Sequence, residues 1–561
     1  MSAIAGRIKK NKRLKLSGMR YVNGVAVSGD AEVPSAFIEQ EVNFFPHLTV
    51  RETLDFRVEL KLGKLVSKSE RDAMVEELMD MLSLTKSANT IVGDSKIRGV
   101  SGGERKRLSI ACEMIDSPPV IFLDEPTSGL DSYQATQVVQ TLKKLADSGK
   151  TIIASIHQPS QRAFSMFDDL LLVSEGRQMY FGEVNNVRSY FDAVGYPCPK
   201  EEGTAEHILD VVSSTNGYDG NNGGSFKTLH ERLDFLAEKA AEQSEALDLG
   251  VIPDTSDSKK VQKLMSRFNT RHHGAPSTNA FCQFKRLLSR SLKEAFRGKG
   301  VILVKLIQQI SLGVIYGGIY SLGNNQASIM DRIGLLNLIA VGSANMALAG
   351  TIRAFPKEKA IIAAEMNSKL YRTFPYFISK AISEIPLIAV LSSVFGAVIY
   401  PLVGLRKGGF QTFLGLTALH SVATQSVGLL LGSISKNSDM ALALMPPIIV
   451  LSIIFDGRNI STENTPRLLR WLPKAGIVRW AYEGYAVNEF EGLEFTSSGP
   501  YRGPTLKTGK EALARFGLDG SSLLTVFKAE ARVIAVCYVL SILGLTLTGD
   551  KFQVMKEPAK K

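Results

Sequence analysis

Val100-Ser101-Gly102-Gly103-Glu104-Arg105-Lys106-Arg107 is followed by Val120-Ile121-Phe122-Leu123-Asp124-Glu125-Pro126-Thr127-Ser128-Gly129-Leu130-Asp131. Val120–Leu123 is an unbroken apolar run, the pattern of a strand covered on both faces of a parallel sheet. It ends in two carboxylates, and open α/β sheets bind ligands at the carboxyl ends of their strands. One carboxylate there can hold Mg2+, directly or through water, while the next polarises an attacking water. Ser101-Gly102-Gly103 opens a helix. Its glycines admit close backbone approach, and its N-terminus offers unpaired N–H groups and a positive dipole end, which suit a phosphate. Arg105, Lys106 and Arg107 read as a solvated face of that helix.

Working outward, strand-like runs at Ala36–Ile38, Val120–Leu123, Thr151–Ile156 and Leu170–Val173 alternate with helical stretches at Thr49–Leu62, Lys68–Leu82, Gly103–Ile115 and Gln134–Ser148. That alternation predicts an α/β domain with a largely parallel sheet. Gln40 ends a short strand-like run, and His157 follows the apolar run Thr151–Ile156. A glutamine amide there can reach Mg2+ or the attacking water, and a histidine can contact a γ-phosphate.

The 561 residues exceed what one core supports;. Residues 1–300 read as a water-facing protein, whereas long apolar runs dominate from Val301 onward. The net charge of +11 would suit nucleic acid, but the basic residues flank apolar spans, as cytoplasmic ends of membrane helices do;. No nucleic-acid partner is expected. Cys112, Cys198, Cys282 and Cys537 form no C-x-x-C pair, which argues against zinc and against a disulfide framework;. Met1–Leu16 lacks the apolar core of a secretory signal;.

Six spans are expected at 301–322, 332–352, 376–402, 410–434, 439–455 and 529–548;. Ala280–Arg297, with Phe281, Phe284, Leu287, Leu288 and Leu292 at helical spacing, predicts an amphipathic helix on the cytoplasmic membrane surface;. Lys380 and Glu384 are spaced to pair on one helix face within the third span. The basic loop 353–375 and the basic tail place both termini in the cytoplasm;. Loop 456–528 is then external, with a glycosylation acceptor at Asn459 and with Trp471, Trp480 and Tyr482 as interfacial anchors;. The expected organisation is a nucleotide-binding domain over 1–212, a linker over 213–279 and a transmembrane domain over 280–561.

Together these strings resemble the nucleotide-binding domain of ABC transporters: the signature Val100–Arg107, the Walker B segment Val120–Glu125, the D-loop Ser128–Asp131, the switch His157 and the Q-loop Gln40. Phe45–Leu54, Gly103–Arg107 and Ile156–Ser160 are similar to the G subfamily, the White-type half-transporters, as is the motor-first order of the domains. The resemblance implies an ATPase coupled to export of a lipid or other hydrophobic compound, working as a homo- or heterodimer, integral to the plasma membrane, with ATP and Mg2+ as cofactors. It assigns Glu125, His157 and Gln40 to catalysis, Asp124 and Gln40 to the metal, and Ser101, Gly102, Gly103 and Asp131 to nucleotide, the signature acting across the dimer.

The family's phosphate loop, Gly-x-x-x-x-Gly-Lys-Ser/Thr, does not occur in the sequence; Gly149-Lys150-Thr151 has lysine at 144 and precedes a strand;. The family places the loop before a segment that Ala3–Arg7 resembles, so the expected fold is an N-terminally truncated ABC ATPase domain followed by an all-α six-helix membrane domain. The alternative is a hydrolysis-impaired or regulatory half-subunit that completes a partner's site through its signature. Glu201–Asp210 also departs from the family's Asn-Pro-Ala-Asp stretch.

Overall fold

The computed structural model describes the chain except residues 12, 19, 23–24, 28–34, 42, 64–65, 214–227, 247–277, 457–465, 497–504 and 550–561. Asn459 therefore lies outside the described residues. The chain forms two compact units that meet between residues 277 and 278.

In the first unit β1 (Arg20–Val22) and β2 (Val25–Val27) pair as an antiparallel hairpin. The parallel sheet consists of β3 (Ser35–Ile38), β4 (Val120–Leu123) and β5 (Thr151–Ala154), with β4 central. Register aligns Ile38 with Leu123 and Leu123 with Ala154, so the three strands end level. The centre strand is sealed on both faces, as its apolar run requires, while β5, expected to reach Ile156, stops at Ala154;.

Four helices surround this sheet, each started by a side-chain cap. They are α1 (Val50–Leu62, cap Thr49), α2 (Lys68–Met81, cap Ser67), α3 (Gly102–Met114, cap Ser101) and α4 (Ser132–Asp147, cap Asp131). The first three carry full capping boxes with Glu52, Glu70 and Glu104, and such a cap is typically worth about 1 kcal/mol;. Leu54, Val58, Leu108, Ile110, Ile121, Leu123, Val138 and Leu142 close one core between these helices and the sheet.

The antiparallel pair β6 (Asp169–Ser174) and β7 (Arg177–Glu183) builds a second core with α5 (Gln161–Phe164), α6 (Val187–Ala193), α7 (Thr204–Ser213) and α8 (Leu229–Ala246). The helical piece expected inside a linker is α8; its Leu233 and Leu236 are fully buried in this core.

The second unit is helical: α9 (Ala280–Arg297), α10 (Lys299–Ile319), α11 (Gln326–Asn367), α12 (Thr373–Val403), α13 (Phe410–Ile434), α14 (Ser438–Ile454), α15 (Leu472–Ala475), α16 (Ile477–Phe490), α17 (Gly509–Arg515) and α18 (Leu523–Leu547). Among the described residues five helices are long and apolar enough to cross a membrane: α10, α11, α12, α13 with its leading turn, and α18. The fifth expected span, α14, is shorter at 17 residues and contains Pro446 and Pro447. At 1.5 Å per residue it covers about 25 Å of a hydrocarbon core about 30 Å thick.

Two expectations, the loop at 353–375 and the anchoring by Tyr482, are corrected. Loop 353–375 is mostly helix: α11 runs 42 residues through Pro356 to Asn367, leaving only a short connection before Thr373. Within 456–528, α16 packs into the core of the helical unit; Tyr482 is buried there rather than presented as an anchor, while Trp471 is exposed. On α9 the buried positions are Gln283, Leu287 and Arg290, and Phe281 is 74% exposed. The polar stripe faces inward because partners await it. Arg290 makes a two-pronged ion pair with Glu365 of α11, at 2.9 and 2.7 Å, and lies 3.3 Å from the Tyr371 hydroxyl. Lys380 and Glu384 do pair, at 2.7 Å, and Lys380 also binds Glu358.

Candidate functional site

Because β3, β4 and β5 are parallel and level, the residues just past each strand share one edge of the sheet. Gln40 follows β3, Asp124 and Glu125 follow β4, and Ser155 to His157 follow β5. Three segments far apart in sequence are thereby joined. Gln40 Nε2 donates to Glu125 Oε2 at 2.6 Å. The backbone N–H of Glu125 donates to Ser155 Oγ at 2.9 Å, and that hydroxyl donates to Asp124 Oδ1 at 2.8 Å. Glu125 has φ +41°, in the left-handed region, so the backbone turns sharply after the two carboxylates and Ser155 holds the turn from both sides;. His157 lies exposed on the loop after β5, with no hydrogen-bond partner among the described residues.

Lys106 departs from the expected solvated face. It is 7% exposed, and its ammonium donates to the carbonyls of Glu39 and Gln40 at 2.9 and 3.0 Å. Burial lowers its pKa to about 8, against the opposing pull of Asp124 and Glu125;. Arg105 likewise turns inward, to the carbonyls of Val92 and Gly93, both at 3.2 Å. The missed signal was periodicity: Gly103, Lys106 and Ile110 share one buried helix face;.

At the start of α3 the Ser101 hydroxyl accepts from the Glu104 N–H at 3.3 Å, and the Glu104 carboxylate accepts from the Ser101 N–H at 2.9 Å. A Cβ on Gly102 would come within 3.0 Å of Leu130 Cδ2, and the Gly103 N–H donates to Gln134 Oε1 at 3.2 Å. Asp131 accepts from the Gln134 N–H at 2.7 Å as the cap of α4. The Ser101–Gly103 turn and Asp131 therefore form one packed corner. The structure brings Gln40, Asp124, Glu125 and Ser155 into hydrogen-bonded contact; it assigns Ser101, Gly102, Gly103 and Asp131 to that separate corner.

The oxygen donors fit a hard divalent cation. Asp124 accepts one hydrogen bond and Glu125 one among the described residues, and each carboxylate has about four acceptor sites;. Among the described residues no cluster of three His, Cys, Asp or Glu could hold a metal by itself. The arrangement suits a cation whose other ligands are phosphate oxygens and water, as Mg2+ has in nucleotide sites.

Comparison with known proteins agrees with this geometry. A family model described as ABC transporter matches residues 2–128, and models described as ABC-2 type transporter match residues 282–490 and 157–233. The chain is 36% identical over 560 residues to ABC transporter G family member 7 of Arabidopsis thaliana, spanning 99% of this chain and 76% of that protein. It is 31% identical over 558 residues to Protein white of Drosophila melanogaster, spanning 98% and 79%. It is 30% identical over 538 residues to the Broad substrate specificity ATP-binding cassette transporter ABCG2 of Bos taurus, spanning 90% and 79%.

Proposed function

The chain belongs to the G family of ABC transporters, integral membrane half-transporters that couple ATP hydrolysis to transport, and on that premise we propose how its residues divide the work. Glu125 is the base that takes a proton from the attacking water. Gln40 orients that carboxylate through its amide N–H, and its amide oxygen and Asp124 would hold Mg2+. His157 contacts the γ-phosphate from the end of β5. Ser101, Gly102 and Gly103 present the N-terminus of α3 to nucleotide held by a second half-transporter, with Asp131 at the same corner. Bound Mg2+ supplies charge neutralisation for the phosphates; the chain's own residues position, orient and accept the proton.

The supporting observation is the 2.6 Å hydrogen bond between Gln40 and Glu125, which joins two strand ends at the level edge of a parallel sheet. We further propose a homo- or heterodimer in the plasma membrane, termini cytoplasmic, exporting a lipid or other hydrophobic compound. Residues 1–212, 213–279 and 280–561 serve as motor, linker and membrane domain. The five long apolar helices among the described residues of the second unit favour that class.

The test is ATP hydrolysis and vesicle uptake of lipid probes by the purified half-transporter, in its assembled state, with Glu125→Gln. General-base loss lowers hydrolysis about 10²- to 10⁴-fold with little change in nucleotide affinity. Unchanged hydrolysis in E125Q would reject the assignment.

A further inference from the structure

His420 of α13 and Glu530 of α18 face each other inside the membrane unit. Nδ1 lies 3.4 Å from Oε1, and both side chains are sealed from solvent, at 0% and 1% exposure. Nε2 of His420 lies 3.0 Å from the carbonyl of Ala340 on α11. A carbonyl oxygen only accepts, so Nε2 carries the hydrogen of that bond. In the neutral ring Nδ1 is then a lone pair, and it points at a carboxylate oxygen that also offers only lone pairs when ionised. Neither Nδ1 nor either oxygen of Glu530 has a hydrogen-bond donor among the described residues.

Among the described residues the nearby charged groups are paired with one another or exposed. From α16 the facing titratable group is Tyr485, whose hydroxyl donates to Thr417 Oγ1 at 3.3 Å, while Arg479 and Glu483 pair at 2.7 Å and Glu489 pairs with Arg332. From α12, Lys380 and Glu384 are bound to each other at 2.7 Å. Between Arg332 and Arg353, α11 has no ionisable side chain, and His420 is the one such group on α13. Asp439 of α14 and Lys528 and Arg532 of α18 are exposed.

We propose that His420 and Glu530 form a proton-binding site within the membrane unit, holding one proton between Nδ1 and Oε1. The count is the same whether the proton is drawn on the imidazole or the carboxyl, since the pair titrates as a unit. Its removal leaves a buried carboxylate facing a lone pair, so the packing of α18 on α13 requires the proton. Neither group belongs to the ATP site, and the ligand is the proton itself.

The sign of the pH effect follows. Free histidine releases its proton near 6.5 and free glutamic acid near 4.3. Between those values folded and unfolded chains hold equal numbers of protons on the pair. Above about 6.5 the folded chain holds one more, so stability falls as pH rises, by up to tenfold in the folded-to-unfolded ratio per pH unit. Glu530→Gln replaces the shared proton with a permanent N–H donor to Nδ1 and removes the dependence.

The experiment is thermal unfolding of the full chain in lipid nanodiscs as pH is raised from about 6.5. The expected result is a midpoint that falls with pH in the unsubstituted chain and stays flat in E530Q. Parallel slopes in the two chains would overturn the proposal. Should E530Q fail to fold, the unsubstituted chain still decides. Its unfolding above the histidine value must release about one proton from this pair, read from heats in buffers of differing ionisation enthalpy and compared with His420→Gln. Equal release by both chains would also overturn it.

Discussion

Lys106 and Ser155 act on the candidate site without being among its expected residues. Lys106 neutralises two carbonyls immediately beside the Gln40 side chain, and Ser155 ties the Glu125 N–H to the Asp124 carboxylate. Lys106→Met removes the ammonium donor from the Glu39 and Gln40 carbonyls, at a cost of about 0.5–1.5 kcal/mol for each hydrogen bond;. We expect a lower unfolding midpoint, with Lys106→Arg recovering part of it because a guanidinium can still donate to both carbonyls. Ser155→Ala removes one acceptor and one donor at once. We expect about 1–3 kcal/mol lost and slower hydrolysis at unchanged nucleotide affinity, because the Glu125 turn loses its anchor. Differential melting and steady-state kinetics check both.

At the scale of elements, the membrane unit is held by helices that approach closely at glycine. A Cβ at Gly432 of α13 would stand 2.7 Å from the Phe355 ring of α11, and one at Gly428 would stand 2.9 Å from Thr351. On α10, Gly313 and Gly317 receive Val398 and Leu402 of α12 in the same way. Such small-residue contacts replace the hydrophobic drive that lipid removes. Gly432→Val therefore costs about 1–3 kcal/mol by overpacking, whereas Gly415→Ala, with nothing within 4 Å of the added carbon, loses nothing;. The folded yield of the two variants in detergent separates them. The Arg290–Glu365 pair fastens α9 to α11 in the same unit. Glu365→Gln breaks the buried Arg290–Glu365 ion pair, at a cost of about 3–5 kcal/mol;.

For the whole molecule, one motor-like unit and one helical unit make half of a transporter, so the proposed working particle contains two such subunits. Native mass measurement of the extracted complex should give two half-transporters per particle. A monomeric particle with full transport would reject the dimer. Within the net charge of +11, Lys357, Lys359, Lys369 and Arg372 cluster along the end of α11 and the connection after it.

Much was legible from residue order alone: the α/β unit followed by membrane helices, and the position of Gln40, Asp124, Glu125 and His157 just past strands. These depend on short-range regularities, namely apolar period and strings whose spacing is set by one strand or one helix turn. Only the tertiary structure decided which polar groups go inside. Lys106, Arg290, His420 and Glu530 are buried because partners distant in sequence meet them: the carbonyls after β3, Glu365 of α11, and, for the last two, each other; Tyr482 is buried because α16, which carries it, packs into the core of the helical unit. It also carried α11 through Pro356, where the sequence read as a loop. Burying a polar group is governed by the partner that compensates it, and no local pattern contains that partner.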